Sequence, residues 1–206
     1  MIELQDVCKD YGVHSILRHI NARFAPNALH LLCGKNGSGK TTLLKIIANL
    51  VKPSAGTVSL QGDPRIIYVA HQTFLYPNLT ALENLAFWTS CYRLTLPEEE
   101  LLTWLDTFGL LAFSDQYPRF FSRGMAQKLN LARALMLKPD ILLLDEPATG
   151  LDADAQNLLR GLLQKQKEKG TCILLISHSL HDDSPIADSL SIIEHGSLRK
   201  EVLSTK

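Results

Sequence analysis

Residues 34–41 read GKNGSGKT, between the apolar run Ala28–Cys33 and the segment Lys40–Leu50, whose apolar residues recur at helical spacing. The eight residues match the pattern G-x-x-x-x-G-K-[ST] at every position. Glycines in such a loop let the backbone wrap closely and point its N–H groups at phosphate oxygens. The N-terminus of the following helix adds positive charge at the same place. The stretch therefore predicts a buried strand, a phosphate-binding loop and a helix, in that order.

The loop pattern also assigns roles to individual side chains. Lys40 is expected to pair with the outer phosphates, and the hydroxyl of Thr41 is expected to ligate Mg²⁺. A glycine-rich turn that matches by chance is the alternative, and the strand and helix signals on either side argue against it. The residues predicted to contact the nucleotide in this loop are Gly34, Asn36, Gly37, Ser38, Gly39, Lys40, Thr41 and Thr42.

A second motif lies far downstream, at Ile141–Pro147, and reads ILLLDEP. Four apolar residues bounded by Asp140 and Asp145 predict a buried strand. Asp145 ends that strand and is placed to hold Mg²⁺ through water, while Glu146 is placed as the general base that polarises an attacking water. An acidic pair after a strand is often only the start of a helix. The phosphate loop upstream favours the catalytic interpretation.

Strands and helices alternate along the chain, which predicts an α/β fold with a largely parallel sheet covered on both faces. Residues 78–137 lack a strong strand signal. They are predicted to form a helical lobe inserted into a single domain, 1–206, whose core is about 1–77 and 138–206. Further strands are predicted to begin at Ile2 and to span Ile16–Phe24, Ile66–Ala70 and Cys172–Ile176. Helices are predicted to start at Thr80, near Pro97, at Ser122 and at Asp152, the last ending near Gly170.

The composition excludes several classes of protein. Lysine plus arginine and aspartate plus glutamate each number 21, so the net charge is zero, which argues against a nucleic-acid-binding protein. The apolar runs are far shorter than the roughly 20 residues that span a bilayer, and the N-terminus lacks a signal-peptide pattern. Four widely spaced cysteines are expected to be reduced thiols. A membrane function would therefore require another chain to supply the membrane-spanning part.

The segment between the two motifs reads FSRGMAQKLNLARAL at Phe121–Leu135 and resembles the signature sequence of ABC ATPases. Four other features match that family in its order: Tyr11 the aromatic that stacks on adenine, Gln72 the Q-loop glutamine, Ala148–Asp152 the D-loop, and His178 the switch histidine. Each alone has a structural explanation, for example a packing role for an aromatic residue. Their common order over nearly the whole chain identifies the sequence as a member of the ABC ATPase family.

This resemblance implies a P-loop NTPase of the ABC type, with an N-terminal antiparallel β subdomain and an inserted helical subdomain. It implies ATP and Mg²⁺ as cofactors, and a second copy of the chain or a homologous ATPase as partner. Each ATP would lie between the phosphate loop of one chain and Ser122–Gly124 of the other, and Asp152 is a further implied nucleotide-binding residue. The implied metal-binding residues are Thr41, Gln72 and Asp145, and the implied catalytic residues are Lys40, Glu146 and His178.

The signature departs from the usual Leu-Ser-Gly-Gly-Gln pattern. Here it reads Phe121-Ser122-Arg123-Gly124-Met125, so that arginine replaces the first glycine and methionine replaces the glutamine. Arg123 is expected either to add positive charge near the partner's phosphate or to point to solvent. Similar Arg-Gly-Met variants occur among bacterial export ATPases, so the resemblance does not imply loss of activity.

The resemblance further implies an integral membrane permease that docks near Gln72–Leu85, and hence a location at the cytoplasmic face of the inner membrane. At least one of five apolar residues in this segment should be exposed, because one small lobe cannot easily bury them all. They are Phe74, Leu75, Tyr76, Leu79 and Leu82.

The sequence identifies the family more specifically than it identifies the transported molecule, the cargo. Ala70–Phe87 resembles the Q-loop region of the haem-exporter ATPase of cytochrome c maturation, which suggests haem export. An exporter of drugs, lipids or other small molecules is the alternative. A soluble ABC ATPase of translation or DNA repair would usually show tandem cassettes or a long coiled-coil insertion, and a small-molecule kinase would lack the signature and the D-loop.

Overall fold

The computed structural model describes residues 1–177 and 179–201. The strands in this part of the chain are β1 (Ile2–Tyr11), β2 (His14–Phe24), β3 (Ala28–Cys33), β4 (Ala55–Leu60), β5 (Ile66–Val69), β6 (Ile141–Asp145), β7 (Cys172–Ile176), β8 (Ser189–Glu194) and β9 (Ser197–Glu201). The helices are α1 (Lys40–Ile47), α2 (Ala81–Cys91), α3 (Glu98–Thr107), α4 (Arg123–Met136), α5 (Ala153–Glu168) and α6 (Leu180–Asp183). None of these helices has both the length and the apolar character needed to cross a bilayer.

The main sheet has the strand order β5-β6-β7-β3-β8-β9, and its strands are parallel except for the pair β8–β9. The central strands β3, β6 and β7 are buried at every residue. Successive side chains alternate between two apolar clusters, so that Leu31 packs with the helices α2–α5 and Leu32 packs with α1 and β1–β2. The predicted mainly parallel sheet, covered on both faces, is confirmed.

A second, three-stranded sheet has the order β2-β1-β4, and both of its pairs are antiparallel. It confirms the antiparallel β subdomain that the family resemblance implied. The sequence analysis missed β4, β8 and β9. Strands β4 and β9 lie at sheet edges and have mostly exposed side chains, so no apolar pattern marks them. Strand β8 has only three apolar residues, and a serine interrupts them.

Helix α1 is shorter than predicted, whereas α5 ends near Gly170 as predicted. Helix α1 ends at Ile47 rather than at Leu50, because Asn49 takes a left-handed conformation with φ 57° and the N–H of Leu50 bonds back to the carbonyl of Lys45. Helix α5 ends at Glu168, and Gly170 follows with φ +108°. In both cases the chain turns within a residue or two of the last helical position.

The helix starts were predicted correctly. The Thr80 side chain accepts from the N–H of Glu83, and the Glu83 carboxylate accepts from the N–H of Thr80, which completes a capping box before α2. Ser122 caps α4 and Asp152 caps α5. Residues 78–137 form α2, α3, α4 and two 3₁₀ turns and contain no strand, as expected of the helical lobe.

A buried asparagine holds the segment before α2 in place. Asn84 is fully buried; its side-chain oxygen accepts from the N–H of Tyr76 at 2.8 Å, and its amide donates to the carbonyls of Tyr76, Leu79 and Thr80 at 2.9–3.0 Å. The segment thus fixed leaves Phe74 59% exposed and Tyr76 42% exposed. The expectation that at least one of the apolar residues of this segment is exposed is confirmed.

We predict that Asn84→Ala lowers the free energy of unfolding by about 2 kcal/mol, because several buried backbone groups lose their partner. Urea unfolding followed by circular dichroism measures the change. Ser90→Ala, at an exposed position of the same helix, is the matched control and should shift the free energy by less than about 0.5 kcal/mol. Equal stability of the two variants would contradict the anchoring role of Asn84.

Candidate functional site

The phosphate loop begins where β3 ends, and two of its glycines are required by the backbone. At Gly34 (φ +143°) a Cβ atom would lie 2.4 Å from the carbonyl oxygen of Ile193 on β8. At Gly39 (φ +106°) a Cβ atom would lie 2.7 Å from the Leu17 side chain. The loop is therefore pressed between β8 and β2, and it enters α1 directly after Gly39.

Lys40, which is predicted to pair with the outer phosphates, lies inside the phosphate loop. Its side chain is buried, and its ammonium donates to the carbonyl oxygens of Gly34 at 2.8 Å and Lys35 at 3.1 Å. The nearby Ser38 hydroxyl is buried and has no hydrogen-bond partner within the described residues. A buried polar atom normally has a partner, so this hydroxyl fits a site for a phosphate oxygen.

The Asp145 carboxylate lies at the carboxyl end of β6 and is 4% exposed. Its Oδ1 accepts from the Thr41 hydroxyl at 3.1 Å, and its Oδ2 accepts from the Tyr68 hydroxyl at 3.1 Å. Burial, followed by the charge of Asp145, raises the pKa of Tyr68 well above its ordinary value, so its hydroxyl stays protonated. The structure thus brings the predicted metal residues Thr41 and Asp145 together, and hydroxyl and carboxylate oxygens suit Mg²⁺. The sequence analysis missed Tyr68.

Glu146 follows Asp145 with φ +54°, a conformation that turns the chain sharply out of the sheet. Its N–H donates to the carbonyl of Ile176 at 3.2 Å, and its side chain lines a cavity of about 460 Å³ against the phosphate loop. The other residues lining this cavity are Tyr11, Ile16, Asn36, Gly37, Gly39, Lys40, Thr41 and Thr42. The predicted base, the predicted adenine-stacking aromatic and the phosphate loop therefore share one cavity.

Tyr11 ends β1 opposite His14 and is 49% exposed. The ammonium of Lys9 lies 4.9 Å from the centre of its ring. Packing within the protein therefore leaves part of the Tyr11 ring exposed, and the ring can stack against a planar base.

The signature segment, Phe121–Met125, lies outside the cavity that contains Tyr11 and Glu146. Within the described residues, neither Ser122 nor Gly124 lines the cavity against the phosphate loop. Ser122 accepts from the N–H of Met125 as the cap of α4, and a Cβ atom on Gly124 would lie 2.9 Å from the carbonyl oxygen of Gly150. The start of α4 therefore rests closely on the loop that follows Glu146. One chain does not bring its own signature to its own phosphate loop.

Arg123 is exposed and contacts the residue before Gln72, while its approach to a partner's phosphate stays a prediction. Its Nη2 lies 3.4 Å from Nε2 of His71, and Nδ1 of His71 lies 4.0 Å from Oε2 of Glu146. Gln72 follows His71 and lines the same cavity of about 580 Å³ as Arg123 and Glu146. The Q-loop therefore lies between the signature helix and the predicted base.

Asp152 and His178 are the remaining residues predicted to act at the nucleotide site. Asp152 caps α5 by accepting from the N–H of Ala155 at 2.8 Å, and it pairs with the Lys128 ammonium at 3.0 Å. The Ala155 hydrogen bond, followed by the bond from Lys128, lowers the pKa of Asp152. Asp152 thus has a structural role, and its contact with a nucleotide stays a prediction. His178, predicted as the switch histidine, lies outside the described residues.

The comparisons with known proteins agree with this geometry. The family model described as ABC transporter matches residues 17–149. The lantibiotic transport ATP-binding protein SrtF of Streptococcus pyogenes is 31% identical, with 96% of this chain and 89% of that protein covered. The linearmycin resistance ATP-binding protein LnrL of Bacillus subtilis is 30% identical, with 96% of this chain and 68% of that protein covered. Neither name refers to haem.

Solved structures match over nearly the full length of the chain. The structure of an ATP-binding subunit of an ABC transporter aligns with a TM-score of 0.93 at 30% identity, covering 98% of this chain and 90% of that one. A dimeric ATP-binding cassette in a post-hydrolysis state, bound to ADP and Pi, aligns with a TM-score of 0.89 at 27% identity over 100% of both chains. The fold prediction is confirmed by these neighbours.

We predict that Lys40→Ala weakens nucleotide binding by about 10- to 100-fold, because it removes charge-assisted hydrogen bonds worth roughly 1.5–3 kcal/mol. Titration with a fluorescent ATP analogue measures the affinity. Lys35→Ala is the matched control, because the Lys35 side chain is exposed, and it should stay within about threefold of the unmodified protein. Equal affinities for both variants would remove Lys40 from the phosphate site.

Proposed function

Because the chain belongs to the ABC transporter family, we propose that it is the ATP-hydrolysing subunit of a membrane exporter and works as a pair of cassettes. One observation carries this proposal. The cavity against the phosphate loop joins Tyr11, Lys40, Thr41 and Glu146, while the signature residues of the same chain lie outside it. Each chain therefore supplies the two halves of a nucleotide site at separate places.

The catalytic steps follow from the chain's own side chains. Glu146 orients a water molecule for in-line attack on the γ-phosphate and accepts its proton. Lys40 leaves its two carbonyl partners, pairs with the outer phosphates and neutralises the charge that develops there. Mg²⁺, when bound with the nucleotide, supplies further charge neutralisation, and we assign its binding to Thr41, Gln72 and Asp145. His178 is proposed to contact the γ-phosphate.

The second half of the site is proposed to come from the partner chain. Ser122 and Gly124, at the start of α4, would face the γ-phosphate bound by the other copy, where the helix N-terminus adds partial positive charge. Asp152 would lie at the same interface. A dimeric cassette among the structural neighbours supports this arrangement. ATP would close the pair, and hydrolysis would open it again.

We predict that Glu146→Gln still binds ATP but hydrolyses it at least about 100-fold more slowly, because the base is lost while the phosphate loop is intact. ATP should then hold the protein as a stable dimer. Phosphate release and size-exclusion chromatography with light scattering measure the two effects.

The matched control is Glu146→Gln combined with Ser122→Glu. The added carboxylate would face the partner's γ-phosphate and should prevent the dimer, while ATP binding by a single chain remains. A dimer that persists in the double variant would contradict the shared site. Hydrolysis by Glu146→Gln at close to the normal rate would remove Glu146 from its role.

The membrane subunit is proposed to dock on a groove between the core and the helical lobe. This groove has a volume of about 810 Å³; its lining includes Leu50, Val51, Phe74, Trp88 and Tyr92. Such an apolar groove suits one helix of a partner protein. Docking there would place the chain at the cytoplasmic face of the inner membrane.

Arg133 of α4 contacts two residues that line the groove, Phe74 and Trp88. Its guanidinium donates to the carbonyl of Phe74 at 2.8 Å and lies 4.6 Å from the centre of the Trp88 ring. Burial lowers the pKa of Arg133 to about 10, which still leaves it charged at neutral pH. This hydrogen bond holds the backbone of Phe74, whose side chain is exposed.

The cargo has two candidates. Haem, for cytochrome c maturation, is supported by the resemblance of Ala70–Phe87 to the haem-exporter ATPase. A drug, lipid or other small molecule is supported by the names of two relatives, which refer to lantibiotic transport and linearmycin resistance. Vesicles containing the membrane subunit distinguish the two, because only the true cargo should raise the ATPase rate.

We predict that Phe74→Asp abolishes co-purification with the membrane subunit, because it places a charge in an apolar contact. ATP binding by the isolated chain should survive, since the phosphate loop is unchanged. Phe120→Asp is the matched control, because Phe120 is 70% exposed but does not line the groove. Loss of binding in both variants, or in neither, would place the docking surface elsewhere.

A further inference from the structure

The hydroxyl of Tyr68 is an unassigned contact of the proposed metal site. Asp145 accepts one hydroxyl on each carboxylate oxygen, from Thr41 on Oδ1 and from Tyr68 on Oδ2, both at 3.1 Å. These are its side-chain hydroxyl partners among the described residues. Two donors, one on each oxygen, set the rotation of the carboxylate as well as its position.

Strand alternation explains how Tyr68 reaches this carboxylate. Tyr68 is the third residue of β5 and pairs with Leu143 of β6, two positions before Asp145. Ile67 and Val69 face the cluster beneath the helical lobe, whereas Tyr68 faces the cluster that contains α1. Thr41 lies in the first turn of that helix. Tyr68 and Thr41 therefore approach Asp145 from the same face of the sheet.

We propose that Tyr68 is a positioning residue for Mg²⁺, because its hydroxyl holds the Asp145 carboxylate in the orientation that binds the metal through water. The Thr41 hydroxyl can donate to Oδ1 and still offer its lone pairs to a metal. In this proposal the Tyr68 hydroxyl does not bind the metal itself and acts only through Asp145. Partners of this kind orient the groups that bind a metal directly.

A purely structural role is the competing explanation. The Tyr68 ring is partly buried and packs against the cluster around α1, so it stabilises the core whether or not its hydroxyl matters. Tyr68→Phe separates the two explanations, because it keeps the ring and removes the hydroxyl alone. Tyr117→Phe is the matched control: Tyr117 lies outside the groove and is not one of the hydroxyl partners of Asp145.

The test measures metal binding directly. Mn²⁺ is titrated into the full chain in the presence of ADP, and free Mn²⁺ is followed by electron paramagnetic resonance. Tyr68→Phe should weaken Mn²⁺ binding about tenfold, the lower end of the loss expected when an orienting partner is removed. Its affinity for ADP in the presence of EDTA should be unchanged. Tyr117→Phe should match the unmodified protein in both measurements.

The inference rests on the proposed role of Asp145 at the metal, and Asp145→Asn tests that role separately. If Asp145→Asn weakens Mn²⁺ binding and Tyr68→Phe does not, the positioning role of Tyr68 is overturned while the metal site stands. If Asp145→Asn has no effect, the metal assignment itself fails. Loss of metal-free ADP binding in Tyr68→Phe would show a structural role and would also overturn the proposal.

Discussion

The rest of the site depends on the two hydrogen bonds that the buried carboxylate of Asp145 accepts. A carboxylate that is removed from water needs hydrogen-bond partners, and here they come from the start of α1 and from β5. The Thr41 bond joins the first turn of α1 to the carboxyl end of β6, and the Tyr68 bond joins β5 to the same carboxylate. The loop between β3 and α1 must then close within a few residues, which it does through Gly34 and Gly39. The ammonium of Lys40 is held inside the loop as a consequence.

The signature helix is coupled to the catalytic loop by contact within the chain. The start of α4 packs so closely on the loop after Glu146 that a single Cβ atom on Gly124 would approach the carbonyl of Gly150 to 2.9 Å. Gln127 of the same helix donates to the carbonyl of Pro147 at 2.7 Å. A partner's nucleotide that draws on α4 would therefore also act on the loop carrying Glu146. In the proposed pair of cassettes, this contact would connect the two half-sites of one chain.

The groove proposed for the membrane subunit is connected to the metal site. Its lining runs from Phe74 and Trp88 at the helical lobe to Thr41 and Asp145 in the core, with Gln72 between them. Arg133 supports the outer part of the segment, and Asn84 anchors the part that follows. A helix seated in the groove would thus lie on the segment that contains Gln72, which we propose as a metal-binding residue.

The amino-acid sequence by itself determined the features that depend on neighbouring residues. These include the phosphate loop with its strand and helix, the caps at Thr80, Ser122 and Asp152, and the buried strand before Asp145, because turns, caps and apolar runs are set within a few residues. Tertiary structure alone decided the rest. Tyr68 reads as an ordinary strand residue, the contact of Arg123 with His71 joins two residues far apart in the sequence, and the edge strands β4 and β9 carry no apolar pattern. Tyr68, Arg123 and β4 each contact a partner far away in the chain, and β9 pairs with β8, whose other partner β3 is distant. The distance between such partners is set only when the sheet and the helical lobe have packed.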